Sequence, residues 1–175
     1  MPLYEINSRR PHIGKGTWIA PTAEIIGDVE IGDQCYIGFG AVIRGDFGPI
    51  QIGNRSLIEE NAVIHTAVRT SIGSDVIIGH MAMIHDAVVH DHVLVGMKSM
   101  ICEGAEIGEG SILAEQSLVR KNQKIPSGQI VAGSPAVFIK EVTQHHREMM
   151  AFGIAAYLDL IEKYHQTFRK IQTTP

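Results

Sequence analysis

Residues 13–43 read IGKGTWIAPTAEIIGDVEIGDQCYIGFGAVI, with isoleucine at every sixth position: Ile13, Ile19, Ile25, Ile31, Ile37 and Ile43. Working outward, the ladder changes phase three times. Three extra residues precede Ile52, Ile58 and Ile64; two more precede Ile72, Ile78 and Ile84. One residue is then dropped before Val89, and Val95, Ile101, Ile107, Leu113, Val119, Ile125 and Val131 follow in strict sixes. A glycine often follows the aliphatic residue, as at Gly32, Gly53, Gly79 and Gly96, and small residues such as Ala23, Ala41, Ala62 and Ala82 sit four places after it. An amphipathic helix repeats near 3.6 residues and a half-buried strand at two. A period of six fits neither. Each hexad is therefore read as one short strand plus a turn, stacked so that successive coils share an aliphatic interior.

This ladder resembles the hexapeptide-repeat superfamily. The resemblance implies an all-β solenoid, a left-handed parallel β-helix of triangular section with three hexads to a coil. General topology rules favour right-handed crossovers, so the hand rests on the resemblance alone. Gly133-Ser134-Pro135-Ala136 breaks the last coil, and Thr143 is a candidate N-cap for a C-terminal α-helix. Met150, Ile154, Tyr157, Ile161, Tyr164, Phe168 and Ile171 form a helical stripe that packs back along the solenoid or onto a neighbour. Gly153 is a candidate break in that helix. Two units follow: residues 1–140 as the β-helix and 141–175 as the packed helix.

Composition narrows the function classes. Fifteen Lys and Arg against 19 Asp and Glu give a net charge of −4, which supplies no field for nucleic acid or an anionic membrane. No apolar run reaches the ~18 residues of a membrane span, and Met1-Pro2-Leu3-Tyr4-Glu5 lacks a secretory leader pattern. Cys35 and Cys102 both lie inside repeats and are read as free, buried thiols of a cytoplasmic protein.

Three hexads per coil turn numbering into geometry. Arg44, His65 and His85 directly follow Ile43, Ile64 and Ile84, so they are expected to stack on one face of successive coils, about 4.8 Å apart. Two imidazoles in that register can converge on one ion. His80 belongs to the preceding hexad, on the next face, with Glu59 one coil below it. A three-fold assembly brings His80 of one subunit beside His65 and His85 of another, and three histidines leave a position open for water. His12, His90, His92, His145, His146 and His165 are read as turn or terminal residues.

Arg44-Gly45-Asp46, Asn61-Ala62-Val63-Ile64-His65, Gly79-His80 through His85-Asp86, and Val95-Gly96-Met97 resemble the γ-class carbonic anhydrase family. The resemblance covers essentially the whole chain. Arg44-Gly45-Asp46-Phe47-Gly48 is similar to the carnitine-operon, phenylacetate-pathway and ferripyochelin-binding branch. What it implies is a homotrimer with a metal at each subunit interface, held by His65 and His85 of one chain and His80 of the next. Zinc is the first choice, and three imidazoles with water also suit iron or cobalt. The implied reaction is hydration of CO2 to bicarbonate by metal-bound hydroxide. Arg44 and Asp46 match the family's inter-subunit ion pair, Tyr157 matches a helix tyrosine near the metal water, and Glu59 is a candidate to position that water or take its proton. Two positions depart from the pattern. Glu59 stands where the family prototype has glutamine, and Thr66-Ala67-Val68-Arg69-Thr70 has no carboxylate where the prototype carries an acidic loop. Alternatives are a hexapeptide-repeat acyltransferase, a metal-assisted acyl-CoA thioesterase, and a non-catalytic metal-binding member of the family.

Overall fold

The computed structural model describes residues 3–171, so the outermost residues of both expected units lie outside it. Short parallel strands stack in three columns, the faces of a left-handed β-helix, and one helix follows. The site face runs through Val42, Val63, Met83, Met100 and Leu118 in register. The polar face runs through Glu30, Gln51, Ser71, Val88, Glu106 and Lys124. The helix face runs through Trp18, Tyr36, Leu57, Ile77, Leu94 and Ile112. Two long strands, Glu24–Ile31 and Val42–Ile52, turn the corner between the site and polar faces.

Alternation along each short strand sets the core. Ile43, Ile64, Ile84, Ile101 and Val119 point inward and are fully buried, while their neighbours point outward. The corners need two backbone features that the hexads encode. At Gly79, an added Cβ would lie 2.8 Å from the Val95 carbonyl oxygen of the next coil, so glycine permits the close stacking. Three places after the inward residue the chain is left-handed, with φ 60° at Asn61 and Met81. The three outward rows then decide what covers each face. The polar row meets water. The helix-face row is apolar and is covered by the helix.

That helix, α1, spans Gln144–Thr167 and buries Met150, Ile154 and Ile161. Thr143 caps it as expected, its backbone N–H donating to His146 Nδ1 at 2.9 Å. Tyr164 packs on Trp18 at 4.4 Å between ring centroids, and Tyr157 packs edge-on against Tyr36 at 4.8 Å. In these contacts α1 packs along the solenoid of its own chain. Three expectations change. The helix runs unbroken through Gly153, because tertiary packing on both sides outweighs one poor helix former. It ends before Phe168 and Ile171, the latter 82 % exposed. Cys102 is only half-buried, because it follows inward Ile101 and so faces out; Cys35 is fully buried. The last coil also gains an antiparallel strand, Val137–Glu141, paired with Gln129–Ala132.

Candidate metal centre

All three phase changes of the repeat fall at one corner, where the site face meets the polar face, on successive coils. The three extra residues form the turn carrying Asp46 and Phe47. The two extra residues lengthen the turn Thr66 to Arg69, and the deletion tightens the turn at Asp86. On the site face, Arg44, His65 and His85 pair in register, and the two imidazoles lie 5.0 Å apart between centroids.

The carboxylates at this corner fix those rings. Asp86 sits in left-handed backbone, φ 48°, which folds its side chain back beneath the loop. Its Oδ1 accepts the Thr66 hydroxyl at 2.6 Å and the Ala67 and Val68 amides at 2.8 Å each. Its Oδ2 lies 3.3 Å from His85 Nδ1. Burial works to raise the Asp86 pKa, but the Thr66 hydroxyl, the two amides and His85 outweigh it and hold the carboxyl below its ordinary range. A carboxylate at Nδ1 places the ring proton there and leaves Nε2 as the free donor, the usual support for a metal-binding histidine. Asp46 pairs with Arg44 within this one chain and reaches His65 Nε2 at 3.1 Å. Burial again pushes upward and is overridden, here by Arg44 and His65, so Asp46 also stays low. Arg9 donates to the Asp46 carbonyl at 2.9 Å and pins the loop from the N-terminal segment.

His80 occupies the other edge of the site face, at the corner with the helix face. Glu59 lies one coil below, its Oε2 3.2 Å from His80 Nε2 and accepting the His80 backbone N–H at 3.1 Å. Glu60 holds His80 Nδ1 at 2.7 Å and itself accepts the buried Tyr36 hydroxyl at 2.7 Å. Tyr157 stands on this side, with its pKa raised by burial and then by the Glu59 carboxylate beside it. The candidate residues thus fall into two clusters. Arg44, Asp46, His65 and His85 share one corner; Glu59, His80 and Tyr157 share the other. Among the described residues, no three His, Cys, Asp or Glu side chains of one chain group as a metal site. The donors nonetheless fit a divalent ion: two neutral-capable imidazoles in register, one with Nε2 freed by its carboxylate. Sequence reasoning missed Asp86, Glu60 and Arg9 as supports. The shortened hexad flagged Asp86 and the adjacent carboxylates flagged Glu60, whereas nothing local flagged Arg9.

A parallel β-helix with paired histidines at its corners defines the class, and comparison with known proteins narrows it. Residues 10–45 and 86–121 match the bacterial transferase hexapeptide (six repeats), and residues 28–66 match the hexapeptide repeat of succinyl-transferase. A carbonic anhydrase of Geobacillus kaustophilus is 39% identical over 84% of this chain and 82% of its own. The carnitine operon protein CaiE of Escherichia coli is 30% identical over 98% of this chain and 89% of its own. Gamma carbonic anhydrase 2 of Arabidopsis mitochondria is 33% identical over 91% of this chain; the chain spans only 60% of that relative's length. A hexapeptide transferase family protein of Anaplasma phagocytophilum superposes with TM-score 0.90 and 34% identity, covering 93% of this chain and 98% of that one. The chain belongs to the hexapeptide-repeat family, among relatives named γ carbonic anhydrase and CaiE.

Proposed function

We propose that this protein is a metal-dependent, γ carbonic anhydrase-like enzyme that hydrates CO2 to bicarbonate as a homotrimer. The observation that carries the reading is the His65–His85 pair, stacked in register with Asp86 fixing His85. His65 and His85 of one subunit and His80 of the next would hold the ion, zinc first, with iron and cobalt also suited to the donors. Bound there, a divalent ion would lower the pKa of a coordinated water toward roughly 7. The chain's own groups do the rest. Glu59 Oε2, beside His80, takes or orients the water proton. Tyr157 packs beside the Glu59 carboxylate, and the Arg44–Asp46 pair keeps His65 aligned.

Trimer formation is supported by the outward row of the site face. Val42, Val63, Met83, Met100 and Leu118 are apolar; Met100 is exposed and the other four are half-buried. Packing this face against a copy brings the corner of His80 to the corner of His65 and His85, a head-to-tail contact that closes as a ring. The likeness to transferases supports acyl chemistry as a second reading, but one histidine base would suffice for that and the stacked pair would have no role. Among the described residues no helix is long and apolar enough to cross a membrane, and free thiols favour the cytoplasm. The test is His85→Ala, assayed for metal content and by stopped-flow CO2 hydration. Both are expected to vanish together. Wild-type metal content in that variant would overturn the site.

A further inference from the structure

At the corner where the polar and helix faces meet, the backbone is left-handed on successive coils, at Arg55, Asp75, His92, Gly110 and Gly128, with φ from 54° to 72°. The first three show that this corner accepts side chains; the last two have none. Where they are missing, a cleft of about 750 Å³ opens between the corner and α1. It is the one corner that the site face does not share, on the flank of α1 away from Glu59 and His80. Packing of the site face against a copy therefore leaves it open. The α1 wall is apolar from Met150 through Ile154 to Leu158, about 12 Å, with the small side chains of Ala151 and Ala155 along its rim. A mostly apolar cleft of several hundred Å³ with a few convergent polar groups has the form of a small-molecule site.

The charged groups of the cleft differ in what answers them. Asp75, toward the Leu158 end, is held by Arg55 on both oxygens, with Nε donating to Oδ1 at 2.8 Å, so its charge is already met. Arg147 and Glu109 stand at the other end. Arg147 Nη2 donates to the Val142 carbonyl at 3.4 Å, and Nη1 lies over Gly110, 3.4 Å from where a Cβ would stand. Glu109 is the residue before Gly110, on the same coil. Two opposite charges thus face one end of the cleft, and among the described residues neither has an ion-pair partner. A ligand with a single charge leaves one of them unanswered.

We propose that the cleft binds a free α-amino acid with an apolar side chain. Its carboxylate meets the Arg147 fork, its ammonium meets Glu109, and its side chain runs down the α1 wall past Ile154 toward Leu158. The site is built from one chain and is independent of the metal centre.

Matched ligands test each contact. L-Norleucine, hexanoate and pentylamine share one carbon chain and carry, in turn, both charges, the carboxylate alone and the ammonium alone. Titrated by calorimetry into wild type, L-norleucine binds with Kd below about 1 mM, and the other two bind at least about tenfold more weakly. Glycine, with both charges and no side chain, also binds at least about tenfold more weakly. Arg147→Met and Glu109→Gln each weaken L-norleucine at least about tenfold. Ala155→Trp, which fills the cleft from an exposed helix position, removes binding. Circular dichroism of these surface variants matches wild type, so the losses report the site and not the fold. His85→Ala binds like wild type. No heat from L-norleucine in wild type, or wild-type affinity in Ala155→Trp, overturns the cleft as a binding site. Hexanoate or pentylamine binding as tightly as L-norleucine overturns the amino acid as its ligand. Loss of L-norleucine binding in His85→Ala would place the ligand at the metal centre and sink the proposal as well.

Discussion

A carboxylate one residue after a histidine can decide which ring nitrogen is free. Asp86 does this for His85 and is itself fixed by a hydroxyl and a run of loop amides. In Asp86→Asn the amide oxygen can still accept those bonds, but the NH2 now donates toward Nδ1 and moves the ring proton to Nε2. Metal affinity is expected to fall about 10–100-fold, measured by competition with a chelator. Unchanged affinity would mean that Asp86 only braces the loop. The same scale holds a pH effect remote from the site. Burial pushes the Cys35 thiol from its ordinary 9.0 up to about 11. Above pH 9 the unfolded chain ionises first, so stability declines as pH rises through this window, by about 3 kcal/mol in full. Denaturant titrations at pH 8 and pH 11 show this decline in wild type, and Cys35→Ala removes that part of it.

At the scale of elements, the hexad ladder made nearly every strand legible before any coordinate, because one inward aliphatic per strand is both the pattern and the core. His65 and His85 were legible for the same reason: each follows an inward isoleucine, and register did the rest. The supports were less so. Asp86 reaches back across a coil to residues 66–68, and Arg9 reaches forward to Asp46, contacts that no six-residue window contains. The phase changes carried more than they were read for, since all three build the corner where the histidines stack. The helix shows the opposite limit. Gly153 argues for a break by propensity, yet aromatic contacts at Tyr157 and Tyr164 on one side and burial of Met150 on the other hold α1 continuous. Gly153→Ala is therefore expected to raise stability by about 0.5–1 kcal/mol, seen as a higher denaturation midpoint. A loss of stability would show that Ile77 cannot accommodate the added methyl.

For the whole molecule, one chain carries both halves of the proposed metal centre on opposite edges of one face, and the apolar row between them is what a copy would cover in the proposed trimer. A charge in that row separates assembly from folding. Met83 points outward between inward Ala82 and Ile84, so Met83→Glu leaves the coil interior intact while placing a carboxylate in the middle of the proposed contact. The variant is expected to keep its β-sheet circular dichroism and to run as a monomer by light scattering. With His80 of the neighbour gone, His65 and His85 are left as a two-imidazole site. Loss of one of three ligands should weaken binding at least as much as loss of a supporting carboxylate, so more than about 10–100-fold. A monomer that keeps full metal stoichiometry would break the link between site and assembly. A trimer that persists would place the subunit contact elsewhere than this face.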